Sequence, residues 1–343
     1  MPGGADLPPA LPSQPGGAGF QPALPPQPGV AGSQPPLPSQ SGVAGSQPPL
    51  PSQSGGAGFQ PALPPQPGGA GFQPALPDLS SDYPLPPDAI ARFRHDGHVL
   101  LRAVASPAEI AAYRPAILTA RDRYGAEVTP LAQRDTYGRA FLKGMNLWPK
   151  DGMVRRFVLA RRFAKLAADL LGVAGVRIYH DQALLKEPGG GLTPWHQDQH
   201  YWPLATDHTL TLWMPLVEAT PDMGTLHFAS GSHRDGYLGD LPISDASEAR
   251  FESFIRERGY TRTPATALSA GDATFHYGWT LHGAPANTSP RTREVMTIIW
   301  FADGTRVGPL DNANRRRDRD RWLPGLEPGD LAATELNPLV YRA

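Results

Sequence analysis

The stretch Thr193-Pro194-Trp195-His196-Gln197-Asp198-Gln199-His200-Tyr201-Trp202-Pro203 decides how this chain is read. It places His196, Asp198 and His200 on alternate positions in a chain with only ten histidines. Residues two apart on an extended strand share a face, so the spacing predicts two imidazoles and a carboxylate converging on one point. Such a set is either a metal site or an unusually polar strand, and the rest of the chain has to decide between them. The loop Pro188-Gly189-Gly190-Gly191 before it, and Trp195, Tyr201 and Trp202 within it, fit a strand entering the mouth of a barrel.

A lone His-x-Asp is weak, and the chain holds a second, His233-Arg234-Asp235. That one sits between Gly231 and Gly236, where a turn is favoured and the two side chains need not share a face. The first pair is preferred. A facial set of two histidines and one carboxylate then needs another histidine from elsewhere in the chain. His276 and His282 are the candidates, on or just after a strand beginning at Asp272. Gly283 beside His282 allows close backbone approach. Arg291 and Arg293 follow, and a guanidinium there could grip a carboxylate through two parallel hydrogen bonds.

The rest of the chain bounds the answer. Of 343 residues none is cysteine, which excludes disulfides and a cysteine nucleophile. The net charge of −1 lacks the basic surplus of a nucleic-acid binder. No run of about 18 apolar residues appears, so no membrane span is expected. No secretory signal is recognised, and a cytoplasmic protein acting on a small molecule is expected.

Composition divides the chain. Residues 1–77 carry one charged side chain, Asp6, and 36 of the 77 are proline or glycine. Ala-Gly pairs at Ala18, Ala31, Ala44, Ala57 and Ala70 mark a 13-residue repeat near GAGFQPALPPQPG. Such a tract cannot bury enough apolar surface to offset its ordering entropy, and is expected to be a disordered arm without a dedicated protein partner. Residues 78–343 form the expected folded domain.

Within it, Asp88–Phe93 reads as a short amphipathic helix and His98–Leu101 as a strand. Ser106-Pro107-Ala108-Glu109 combines a capping box with proline at the first helical position and opens a helix to about Tyr124. A further helix is expected from Met153 to Leu171, stopped by Gly172. Strands then follow at 176–186, 209–217, 224–229, 266–268, 272–277 and 294–301. Helices first and strands after predict an α+β fold dominated by β, a double-stranded β-helix (jelly-roll or cupin-like) barrel with flanking helices. Arg315-Arg316-Arg317-Asp318-Arg319-Asp320-Arg321 is expected to be a solvated helix face.

On these motifs the chain resembles the phytanoyl-CoA dioxygenase family of iron(II)/2-oxoglutarate oxygenases, which includes ectoine hydroxylases. The resemblance rests on PWHQDQHYWP, on TLTLWMPL followed by MGTLHFASGSH, on LSAGDATFHYGWTLHGAPAN and on SPRTR, from about Leu85 onward. It implies that His196, Asp198 and His282 bind Fe(2+), and that Arg293 pairs with the far carboxylate of 2-oxoglutarate, leaving Arg291 structural. It implies that Trp213 lines the cosubstrate pocket and that Gln182 and Lys143 contact 2-oxoglutarate. Many relatives carry a serine two residues after the distal histidine. Here that position is Ala284, so a hydroxyl contact is lost or supplied from elsewhere.

The reaction implied is hydroxylation of a C–H bond with O2, releasing succinate and carbon dioxide. Asp198 fills the position that halogenating relatives leave open for chloride. Two other readings are a cupin-like metalloenzyme that works without 2-oxoglutarate, a hydrolase or isomerase, and an inactive binding protein on the same barrel. The first leaves Arg293 and Trp213 without a role, and an intact triad argues against the second.

Overall fold

The capping box at Ser106 forms as its sequence dictates. In the computed structural model, which describes residues 76–125, 128–264 and 266–343, the Ser106 hydroxyl accepts from the Glu109 N–H. The Glu109 carboxylate accepts from the Ser106 N–H in return, at 2.7 Å. Except for its last two residues, the repeat arm lies outside the described residues.

The chain runs α1 (Ala89–Asp96), β1 (His98–Leu101), α2 (Pro107–Tyr124), α3 (Thr136–Ala140), β2 (Leu142–Met145), α4 (Gly152–Val158) and α5 (Arg161–Leu171). It continues with β3 (Gly175–Lys186), β4 (Thr193–His196), β5 (Thr209–Pro215), β6 (His227–Ala229), α6 (Asp245–Arg258) and β7 (Arg262–Pro264). The last elements are β8 (Ala273–Tyr277), β9 (His282–Ala284), β10 (Arg293–Ala302), α7 (Ala313–Trp322) and β11 (Leu339–Arg342).

Three expectations need correction. The helix expected over 153–171 is two helices, because Leu159 and Ala160 leave the helix and the Arg162 N–H bonds the Leu79 carbonyl instead. No proline or glycine marks that break. The strand expected at 266–268 is only a bridge between Ala219 and Leu268. Asp198 and His200 do not continue the strand of His196. They form a 3-10 turn, Asp198–His200.

Among the described residues the strands form two antiparallel sheets. The larger runs β1-β8-β5-β10-β3-β11, with β2 pairing the other half of the β3 edge that carries β11. The smaller runs β4-β9-β6-β7. Side chains of both sheets line one cavity, and the sheets do not close into a continuous barrel.

The outer face of the large sheet is covered by helices. Phe163, Leu166 and Leu170 of α5 join Ile178, Leu212 and Trp300 in one buried core, each such side chain contributing roughly 2 kcal/mol when fully buried. This packing covers one face of the large sheet and leaves its inner face to line the cavity. Among the described residues no helix is long and apolar enough to cross a membrane.

Candidate metal centre

His196 and His282 are Cα partners across the β4–β9 pair. Each imidazole is oriented by its own backbone. His196 Nδ1 lies 2.7 Å from the Pro194 carbonyl and His282 Nδ1 lies 2.9 Å from the Thr280 carbonyl. A carbonyl oxygen only accepts, so each Nδ1 carries the hydrogen and each Nε2 presents a lone pair.

Both lone pairs face Asp198. Its Oδ1 is 3.6 Å from His196 Nε2 and 3.8 Å from His282 Nε2. One ligand atom from each of the three residues lies within 4.8 Å of the others, a set that could hold a metal ion. The other carboxylate oxygen is held from behind, accepting from Thr211 Oγ1 at 2.9 Å and from His276 Nε2 at 3.3 Å. His276, the other candidate ligand, thus faces the oxygen that points away from the two histidines.

The charge state suits a cation. Burial pushes the imidazoles of His196 and His282 down to about 4, so both are neutral near pH 7. Burial alone would raise Asp198, but His282, His276 and His196 together hold it well below the usual carboxylate range. Two neutral nitrogens and an ionised oxygen are the donor set of a facial iron(II) site.

The neighbours of His196 fix its approach. The Trp195 N–H donates to Glu248 at 2.7 Å, its indole N–H to Glu252 at 3.2 Å, and its carbonyl accepts from Ser247 at 3.1 Å, all on α6. On the other side Gln197 Nε2 donates to the Trp279 and Gly236 carbonyls, each at 2.7 Å. Gly283 is required for the facing strand to close in, because a Cβ there would lie 2.7 Å from His227 Nε2 and 2.9 Å from the Thr193 carbonyl.

The remaining predicted residues divide as follows. Arg293, Trp213, Gln182 and Lys143 line the same cavity of about 460 Å³ as the triad. Arg291 is half exposed and pairs with Glu218 at 3.4 Å, away from it. His200 turns away toward Asn314 and Asp240, at 3.1 and 3.4 Å. His233 stacks on Tyr277 and Asp235 accepts from Tyr260, so the second His-x-Asp does not face the triad. Trp195 packs under α6, whereas Tyr201 and Trp202 do line the cavity.

Arg293 is 1% exposed, with its guanidinium carbon 5.2 Å from the Trp213 ring centre. It donates to the Gly224 carbonyl, and its Nε has no partner. Burial, with no acid opposing it, pushes Arg293 down to about 9, so it is still a cation at neutral pH. A buried, uncompensated guanidinium facing a cavity is a receptor for an anion.

Residues missed by sequence reasoning were within reach of it. Thr211 is two positions before Trp213 and shares its strand face, and His180 is two before Gln182. Arg317, Asp318 and Arg321 of α7 also line the cavity, so the arginine-rich helix is not merely a solvated face.

Comparison with known proteins agrees with this geometry. The family model for phytanoyl-CoA dioxygenase (PhyH) matches residues 93–295. The chain belongs to this family. Among curated relatives, phytanoyl-CoA dioxygenase domain-containing protein 1 of Danio rerio is 31% identical over 158 residues, which is 44% of this chain and 50% of that one. A probable alpha-ketoglutarate-dependent hypophosphite dioxygenase of Stutzerimonas stutzeri is 26% identical over 155 residues, 44% of this chain and 52% of that one. The chain spans about half the length of the curated relatives it matches.

Among solved structures it is similar to the non-heme alpha-ketoglutarate-dependent carbocyclase SnoK from nogalamycin biosynthesis. The TM-score is 0.62 at 25% identity, over 75% of this chain and 97% of that one. The iron-bound EctD of S. alaskensis shares the fold, with a TM-score of 0.56 at 20% identity over 75% of this chain and 92% of that one.

Proposed function

We propose that this PhyH-family chain is an iron(II)- and 2-oxoglutarate-dependent dioxygenase that hydroxylates an unactivated C–H bond of a small organic molecule. The observation that carries this reading is the coexistence, in one cavity, of the His196-Asp198-His282 donor set and the uncompensated guanidinium of Arg293. The two-sheet arrangement is read as an open double-stranded β-helix. The catalytic domain is read as beginning near residue 78. The Pro77 carbonyl already accepts from Tyr113 Oη at 2.8 Å, so the junction with the arm lies at or just before that residue.

Iron and 2-oxoglutarate, when bound, supply the oxidising chemistry with dioxygen and release succinate and carbon dioxide; the protein supplies binding and orientation. His196, Asp198 and His282 hold the metal, and Thr211 and His276 fix the carboxylate between them. Arg293 takes the far carboxylate of 2-oxoglutarate against the face of Trp213. Gln182 and Lys143 line the path between. Thr193 is the Cα partner of Ala284 across β4–β9 and lines the cavity. Its hydroxyl therefore stands beside the position where many relatives carry a serine.

Ring closure is the second reading, favoured by the similarity to a carbocyclase, and product analysis separates the two. A barrel that ignores 2-oxoglutarate leaves Arg293 without an anion. The test is calorimetric titration of 2-oxoglutarate into the protein with and without Fe(II) under nitrogen. The expected result is tight binding only when metal is present, and its loss in Arg293→Ala. Equal binding with and without metal would overturn the reading.

A further inference from the structure

The inner face of the large sheet gives the cavity a direction. Along β10, Arg293 pairs with Lys186 of β3 at one end, and Ile299 pairs with His180 at the other. Six residues of strand separate those ends, roughly 20 Å at about 3.3 Å per residue. A small dicarboxylate gripped by Arg293 does not reach the His180 end.

That far end is where α7 docks. Trp322, its last residue, packs on His180 with ring centres 4.9 Å apart, and Asp318 accepts from Tyr179 Oη at 3.3 Å. The helix carries five arginines, and they divide by face. Arg315 pairs with Asp311 at 3.1 Å, Arg319 pairs with Asp320 and Glu327 at 2.8 and 2.5 Å, and Arg316 donates to the Leu310 carbonyl at 2.8 Å. Arg317 and Arg321, four residues apart and so on one face, line the cavity.

Among the described residues neither of these two forms an ion pair with a carboxylate; Arg317 donates only to Asn314 Oδ1, at 2.5 Å. Lys143 of β2 lines the same cavity and feels the charge of both.

We propose that Arg317 and Arg321 are the substrate-recognition group of this enzyme, and that the substrate carries a carboxylate or phosphate that lodges between them, at the end of the cavity remote from Arg293. The proposal rests on the functional reading above, since it assigns the Arg293 end to 2-oxoglutarate. Two guanidiniums four residues apart on one rim repel each other, and an anion between them relieves that repulsion. Of the acids nearby, Asp318 feels both guanidiniums but forms an ion pair with neither. Asp135 caps α3 by accepting from the Gly138 N–H at 2.6 Å, and Asp318 is held by Tyr179. Burial lifts Asp318 to about 7, with Tyr179 and the two guanidiniums opposing, so a single carboxyl that resists ionisation stands against two cations. Phe141, Tyr201 and Trp202 supply an apolar wall for the body of such a molecule.

The test uses the full chain loaded with Fe(II) and saturating 2-oxoglutarate under nitrogen, with benzoate, phenyl phosphate and benzyl alcohol as probes. Binding is read by calorimetry in wild type, in Arg317→Gln/Arg321→Gln, and in Arg316→Gln as a charge control on another face. Both arginines are exposed, so the double variant is expected to keep the wild-type melting temperature. The expected result is that at least one acid binds ten-fold or more tighter than benzyl alcohol. That advantage disappears in the double variant and stays in Arg316→Gln, while 2-oxoglutarate affinity is unchanged. Which acid binds tighter distinguishes a carboxylate from a phosphate substrate. Equal binding of the alcohol and both acids, or acid binding untouched by the double variant, overturns the proposal. A loss of 2-oxoglutarate affinity without a change in probe binding also overturns it, by assigning α7 to the cosubstrate. In that case the dioxygenase reading itself stands.

Discussion

His196 and His282, far apart in sequence, stand directly opposite each other on β4 and β9, with ring centres 4.2 Å apart. One strand pair therefore sets the spacing of two nitrogen donors, and the 3-10 turn after β4 brings Asp198 between them. Removing either histidine should lower iron affinity by more than about 100-fold. His276→Phe, which removes only a support of Asp198, should cost about 10- to 100-fold in affinity or activity. His233→Ala should leave the metal bound. Equilibrium dialysis against iron(II) checks all four variants; loss of metal in His233→Ala would mean that the other His-x-Asp pair is the site.

Arg293 separates a 2-oxoglutarate oxygenase from other metal barrels. On the proposed role, truncation to alanine would leave the cosubstrate carboxylate desolvated and unpaired, at a cost of about 2–5 kcal/mol. At about 1.4 kcal/mol per factor of ten, the apparent constant for 2-oxoglutarate should rise roughly 30-fold or more. Lysine should recover only part, having the charge without the planar fork. Arg291→Ala, on an exposed pair with Glu218, should behave as wild type. The steady-state dependence on 2-oxoglutarate at saturating iron distinguishes these variants.

Buried neutral histidines make the fold acid-sensitive. His98 is pushed down to about 4 by burial, with Asp96 opposing and His233 adding to the shift. The unfolded chain takes up a proton near pH 6.5 that the folded chain refuses until about 4, so stability is full above 6.5 and falls as pH drops through that window. A shift of this size corresponds to roughly 3 kcal/mol. In urea titrations between pH 7 and 4, His98→Gln should flatten that decline while keeping a partner for Ser230. An unchanged slope would remove His98 from the account.

Deleting residues 1–75, which stops short of the contact made by Pro77, should change the melting temperature and turnover little. A clear loss of either in the shortened chain would show that the repeat tract takes part in the fold or the chemistry.

Much of this was legible in the sequence, and the reasons differ by residue. The capping box at Ser106, the strand at His98–Leu101 and the run through β3 rest on local chemistry, and local chemistry is what a sequence displays. The candidate site was legible through the resemblance, since His196, Asp198, His282 and Arg293 lie in the motifs that carry it. A 3-10 turn, and not alternation along a strand, brings Asp198 to the histidines. His200, which alternation along a strand would place beside them, points toward Asn314 and Asp240.

Other features depend on tertiary contact. Nothing local breaks the helix at Leu159; the backbone near Leu79 does so from outside. The charge pattern of α7 looks the same whichever face meets the cavity, and only its docking through Trp322 and Asp318 selects Arg317 and Arg321.

The most direct test of the central claim is succinate formation from 2-oxoglutarate by the purified chain, measured with and without added iron(II) in air, in wild type and in Asp198→Ala. The account predicts iron-dependent succinate matched by loss of 2-oxoglutarate and O2 in wild type, and none in the variant. Wild-type protein that binds iron and 2-oxoglutarate yet forms no succinate with any substrate offered, or an Asp198→Ala variant that forms it at the wild-type rate, would contradict it.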